Sequence, residues 1–241
     1  MGTWEDGLLD NDTALDGLGD LQSAIVADIV ELGAAKPTAT STGRLAGAVG
    51  ALLQLSAYDF DDEADGSAIA AAVKAHAAEI AKLPAPARKL LDQVAAGHGK
   101  ALAEREAKLP VEQMRLLHSG GKGASPFGRR EPSLFATKAA AAYVQEIAQR
   151  CVGAVDGDFE DENNWNDLCR EGVGIGTLPV LLVLAPCRVP TAKIERWRKK
   201  AKKGIASLEE EPDEELDFHR GYYAKLDKVL ALLLRRFRQT R

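Results

Sequence analysis

Apolar residues recur every three or four positions along most of this chain, the period of an amphipathic helix rather than the alternation of a half-buried strand. Ala14, Leu15, Leu18, Leu21, Ile25 and Ile29 form the first such series. The Asp10-Asn11-Asp12 cluster ahead of them carries short side chains that accept hydrogen bonds from the N–H groups of a helix's first turn, so a helix is expected to start there. Gly17 and Gly19 weaken its interior and predict a short helix or a break near Gly19. A turn at Gly7 would let Trp4, Leu8 and Leu9 fold back as a plug on the core.

The pattern from Leu21 to Leu32 ends at Gly33, and AKPTATST reads as a loop with Ser41 or Thr42 as the next cap. A helix from about Gly43 to Ala57 follows, with Gly47, Ala48 and Gly50 small enough to admit another helix at close range. An acidic loop spans Tyr58 to Gly66, and Ser67 or Asp65 caps a helix to about Lys82. Pro84 and Pro86 start the next helix, Gly97 or Gly99 ends it, and Lys100–Lys108 and Val111–Leu117 complete the first half.

Residues 118–132, HSGGKGASPFGRREP, have the composition of a flexible connection. Beyond them Ser133 caps a helix from Leu134 to about Val155, an acidic loop DGDFEDENN follows, and a short helix covers Trp165 to Glu171. GVGIGT leads into the apolar run LPVLLVLAP, a buried helix or strand. Thr191 caps a basic helix to about Leu208, and Asp213 caps a final one to about Arg238. In that last helix Phe218, Tyr222, Leu226, Leu230, Leu233 and Phe237 form a stripe widened by Leu232 and Leu234, so it is deeply buried or covered by a partner. The expected architecture is an all-α helical bundle of two packed subdomains: an acidic one over 1–117, a linker over 118–132, and one with a basic helix over 133–241.

Composition agrees with this picture. Aromatics make up 5% of the 241 residues while Ala and Leu dominate, which favours close-packed helices over a β-sandwich or barrel. The net charge of −5 conceals an asymmetry, for residues 1–110 hold 9 basic and 17 acidic side chains and residues 111–241 hold 22 and 19. Two surfaces with different partners, or with an attraction for each other, are implied. Cys151, Cys169 and Cys187 show no zinc or redox spacing and read as reduced thiols of a cytoplasmic protein. No secretory h-region opens the chain, and the LPVLLVLAP run is far short of the ~20 residues of a membrane span.

Candidate chemistry is sparse. Asp12, Asp16 and Asp20 fall at i, i+4 and i+8, so an unbroken helix would line up three carboxylates for a hard cation; a solvated, capped face is the simpler account. DDEADGS places Asp61, Glu63 and Asp65 ahead of Gly66 as a calcium loop does, but Ala72 stands where the bidentate Glu belongs, and DGDFEDEN has Asp161 at its turn-glycine position. Gly99-Lys100 and Gly121-Lys122 lack the phosphate-loop frame, and the four histidines match no zinc arrangement. No catalytic residue and no cofactor is indicated. The run RVPTAKIERWRKKAKKG carries Arg196, Trp197, Lys200 and further cations that would suit phosphate or an anionic surface, but the acids after it favour charge pairing within a helix hairpin or docking on the acidic half over nucleic acid.

The N-terminal segment, through Trp4, Gly7, Asn11, Asp12, Ala14, Asp16, Asp20 and Leu21, resembles an uncharacterised bacterial family, a domain of unknown function whose start reads W-G-x-G-x-F-x-N-D-x-A-x-D-W-x-x-D-L. Glu5, Leu9 and Gly17 depart from that pattern, and the similarity extends to about Leu117. The resemblance implies a helical fold and a bacterial source and brings with it no established catalytic residue. The function expected is therefore binding of another protein, such as a toxin, enzyme or regulator, as an inhibitor, immunity protein or regulatory partner. Asp59, Asp61, Asp62, Glu63 and Asp65 would mimic phosphate towards a basic cleft, with Arg196, Trp197 and Lys200 as a second contact region. The alternatives are a metal-dependent enzyme or binding module using the aspartate ridge and loop, and nucleic-acid binding through the basic helix.

Overall fold

The computed structural model describes residues 12–55, 60, 63–106, 133–160, 173–184, 187–208 and 214–238. They form α1 (Asp12–Ala34), α2 (Ala39–Leu55), α3 (Glu63–Ala75), α4 (Ala77–Ile80), α5 (Ala85–Ala95), α6 (Gly99–Glu106), α7 (Lys138–Glu160), α8 (Leu178–Val183), α9 (Thr191–Leu208) and α10 (Glu214–Arg238), with 3-10 turns at Ser133–Phe135 and Ile175–Thr177. Among the described residues there is no strand and no helix long and apolar enough to cross a membrane. The protein is an all-α bundle.

The centre of the bundle is α2. Every residue from Thr42 to Leu55 except Arg44 is buried, as for a helix covered on all sides. Gly43, Gly47 and Gly50 make one small-residue stripe along it. A Cβ on Gly47 would lie 2.8 Å from the Ala140 carbonyl oxygen of α7, and one on Gly50 2.7 Å from the Phe135 ring, so glycine is what lets α7 and its preceding turn settle on α2. This is the close approach that the sequence predicts at Gly47 and Gly50. On its other sides α2 meets α1 and α6, while α3 lies against α1 and α5, and α9 and α10 form an antiparallel hairpin. Helices from both sides of residues 107–132 thus touch directly, and their buried side chains belong to one cluster. Residues 118–132, Val111–Leu117 and Trp165–Glu171 lie outside the described residues, as do Trp4, Gly7, Leu8, Leu9 and Asp10-Asn11.

Several expected boundaries move, each for an identifiable reason. α1 runs unbroken through Gly17 and Gly19, because tertiary contact outweighs the glycine penalty: a Cβ on Gly17 would stand 2.1 Å from the Val173 carbonyl oxygen. α2 starts at Ala39, with Thr38 as its cap in place of Ser41 or Thr42. The Ser41 N–H donates to Thr38 Oγ1 at 3.1 Å and the Thr38 N–H to Ser41 Oγ at 2.9 Å, a reciprocal capping box in which serine takes the usual Glu position. α3 begins at Glu63, ahead of the expected caps Asp65 and Ser67, and stops at Ala75, well before Lys82. His76 interrupts it with φ −99° and ψ 11°. α7 is capped by Thr137, whose Oγ1 accepts the Ala140 N–H at 3.1 Å, and Ser133 lies in the turn before it. The acidic stretch from Asp156 to Glu160, expected as loop, is the last turn of α7. Thr191 is the first residue of α9 rather than its cap. The apolar run resolves as helix over Leu178–Val183 and turns extended at Leu184. As expected, Pro84 precedes α5, and Gly97 at φ +85° follows it.

α10 buries Tyr222, Leu226, Leu230, Leu233 and Phe237, and Tyr223, Val229 and Leu234 join them. α9 and the buried α8 pack against it, so its wide stripe faces the chain's own core.

Candidate functional site

Charge is the first thing that distinguishes surfaces on this molecule. The chain's first 35 residues contain eight acidic side chains and neither Lys nor Arg. In α1 the buried sector holds Ala14, Leu18, Leu21, Ile25 and Ile29. Asp16, Asp20 and Glu31 are exposed on the opposite side, spread over ~22 Å of helix at 1.5 Å per residue. None of the three makes an ion pair among the described residues. Asp12 belongs to the same helix, but its side chain, like Asp59, Asp61 and Asp62, lies outside the described residues. Glu63 is exposed at the start of α3, and Asp65 is half-buried in the same turn. Because Glu63 to Ala75 is helical, Glu63, Asp65 and Gly66 do not form the loop that a calcium site of this kind requires. No group of three His, Cys, Asp or Glu side chains among the described residues converges as a metal site.

The basic helix is arranged differently from a free cationic face. Trp197 is fully buried, stacked beside Phe159 with ring centroids 6.4 Å apart, and its Nε1–H donates to Asp156 Oδ1 at 2.7 Å. Arg196 donates to the same carboxylate at 2.6 Å, Lys193 pairs with its other oxygen, and Lys200 Nζ donates to the Phe159 carbonyl at 2.5 Å. Arg196, Trp197 and Lys200, expected as an interaction surface, are thus turned onto the end of α7, and Trp197 has no ring face to offer a base or a partner. Burial opposes ionisation of Asp156, but Lys193, Trp197 and Arg196 together outweigh it and hold its pKa below the ordinary value. The hairpin pairing foreseen for this helix is present as Arg198 on Asp227 of α10, at 2.6 Å and 3.1 Å.

Two residues after this hub, Asp158 Oδ2 accepts the Ile175 N–H at 2.6 Å, and the Gly174 N–H also supports it. Burial raises the Asp158 pKa to about 6 despite those donors. The turn it holds lies against α1, where a Cβ on Gly176 would come 2.1 Å from the Ala14 carbonyl oxygen.

A second polar network joins α1, α2 and α7. Asp28 Oδ2 accepts the Tyr143 hydroxyl at 2.8 Å and pairs with Arg150 at 2.9 Å. Arg44 makes a bidentate pair with Glu146 at 2.6 Å and 2.7 Å while its guanidinium lies 5.5 Å from the Tyr143 ring centroid. Burial, then the Asp28 carboxylate, raises the Tyr143 pKa, and the Arg44 hydrogen bond lowers that of Glu146. A third joint is the fully buried His76. The Leu32 carbonyl, 2.9 Å away, can only accept, so Nε2 carries the proton and Nδ1 accepts from the Thr42 hydroxyl at 2.7 Å. Arg236 closes the carbonyl end of α8, donating to Leu181 O at 2.5 Å and to Leu184 O.

These constellations are joints between helices. Cys151 and Cys187 are buried free thiols, and burial lifts their pKa values, that of Cys151 to about 12, so neither is an activated nucleophile. Sequence reasoning missed Asp28, Asp156 and Asp158. Asp28 left a signal, an aspartate on the buried sector of α1 beside Leu21 and Ile25. For Asp156 and Asp158 the signal was the period Tyr143, Ile147, Cys151, Val155 and Phe159, which continues through the acidic stretch. No protein-family model, curated protein or solved structure matches this chain.

Proposed function

We propose that this protein works by binding a basic partner protein through the acidic outer face of α1, with the acidic tract Asp59, Asp61, Asp62, Glu63 and Asp65 as a second element, as an inhibitor or regulatory partner. The carrying observation is the set of exposed carboxylates Asp16, Asp20 and Glu31 on α1, which lies within the chain's first 35 residues, where no Lys or Arg stands to neutralise them. Uncompensated charge of one sign on a fixed surface steers encounter with a partner of the opposite sign and rejects others. Asp28 of the same helix, Asp156 and Asp227 are each paired with a cation in an internal joint. Asp16, Asp20 and Glu31 are exposed and make no ion pair among the described residues.

The test compares the whole chain with its Asp16→Lys/Asp20→Lys variant, each immobilised and exposed to extract of the source cells, with bound proteins identified by mass spectrometry. A defined basic protein held by the natural chain, released by salt and absent from the variant supports the reading. An identical bound set on both chains, or no protein held above background, refutes it.

A further inference from the structure

A groove of about 660 Å³ opens between α7, the extended segment 187–190 and the end of α10. That volume lies in the range of small-molecule pockets. Val152, Val189, Pro190 and Phe237 give it an apolar floor. One wall is held in place by Gln145, whose amide N–H donates to the Arg188 carbonyl at 2.9 Å while its oxygen accepts the Arg188 N–H at 2.8 Å. This pair of hydrogen bonds between the backbone and α7 fixes the segment and leaves the Arg188 side chain exposed at the rim. The opposite wall is open at Gly153, where an added Cβ would meet nothing within 4 Å.

The charged side chains that line the groove among the described residues have one sign. Among the described residues that line it there are two cations, Arg188 and Lys193, and no carboxylate. Lys193 is neutralised from behind by Asp156. Arg188 makes no ion pair among the described residues, so an exposed planar double donor is available at the rim of an apolar trough. We infer that the groove binds a medium-chain carboxylate, its tail on Val152, Val189 and Phe237 and its carboxylate on the Arg188 guanidinium.

Decanoate, kept below its micellar concentration, is the probe, titrated calorimetrically into the whole chain beside decylammonium and 1-decanol. The expected result is saturable one-site binding of decanoate, at least tenfold weaker binding of the alcohol, and none of the amine. Arg188→Glu, a change on an exposed side chain, lowers decanoate affinity at least tenfold. Gly153→Phe fills the trough and abolishes binding while leaving the urea midpoint unchanged or raised. No saturable decanoate binding, equal binding of decylammonium, or natural affinity in folded Arg188→Glu overturns the inference. None of these changes touches α1, so failure here is distinct from failure of the partner-binding reading.

Discussion

Replacing Asp158 by asparagine isolates a single buried ionisation, because the two side chains have the same shape and both offer an Oδ to the Ile175 N–H. In the folded protein the Asp158 pKa is raised from 3.8 to about 6, chiefly by burial. The carboxylate form is therefore costly in the fold. Its contribution to stability is fully present below pH 3.8, falls as pH rises, and levels off above pH 6. At 1.36 kcal/mol for each pH unit of the gap, the cost at neutral pH is at most about 3 kcal/mol. Residual solvent exposure screens part of it, leaving roughly 1–2 kcal/mol. Asp158→Asn is expected to match the natural chain at pH 4 and to exceed it by that amount at pH 7, read as the difference between urea unfolding curves at each pH. Other titrating groups cancel in the difference. Equal curves at both pH values, or a variant less stable at pH 7, would refute the account of Asp158 as a carboxylate ionised against its burial.

Two further substitutions probe the helix joints. Gly47→Ala puts a methyl 2.8 Å from the Ala140 carbonyl oxygen, and overpacking of about 1–3 kcal/mol should outweigh the gain in helix propensity. Gly19→Ala, where a Cβ meets nothing within 4 Å, should instead stabilise by about 0.5–1 kcal/mol, and thermal melts showing both variants moving in the same direction would contradict this. Asp156→Ala strands the buried Trp197 N–H and removes the partner of Lys193 and Arg196, an expected loss of about 2–3 kcal/mol. Asp156→Asn keeps an acceptor for Trp197 and should lose less, so equal losses in urea unfolding would show that the indole hydrogen bond contributes nothing. Because the Asp156 pKa is depressed, the part due to its charge is present at neutral pH and disappears as pH falls below the ordinary carboxylate range.

Most of the helices are legible in the sequence because burial in a bundle imposes the 3.6-residue period that the eye detects. Errors cluster where one residue does two jobs. Gly17 is a helix-weakening residue in isolation and a clearance for Val173 in the fold, and a single chain displays only the first property. Asp156 and Asp158 resemble loop residues by type, yet they are the ligands that anchor α9 and the 173–177 turn. Trp197 in a lysine-rich run suggests a surface aromatic, although its position three residues after Ile194 and four before Ala201 puts it on the buried stripe of α9. Arg44 and Glu146, or Thr42 and His76, meet across long stretches of chain, and no local pattern announces such pairs. The acidity of the first helix was legible, since it depends on composition alone.

That acidity has a mechanical setting which the joints explain. The 173–177 turn, held by Asp158, fits against the first turns of α1 so closely that neither Gly17 nor Gly176 has room for a Cβ. Further along α1, Asp28 is fastened to Tyr143 and Arg150 of α7, and the Leu32 carbonyl to His76. The helix is thus secured near its start, in its last third and at its end, while Asp16, Asp20 and Glu31 stay exposed. Carboxylates on a helix fixed in this way lose little backbone freedom when a partner arrives, so attraction is not spent on ordering the surface. The neutral variant Gly176→Ala loosens this mount without changing a charge, whereas Asp16→Lys changes the charge without touching the mount. A partner that reads only local charge responds to the second alone; one that requires the carboxylates at fixed spacing responds to both.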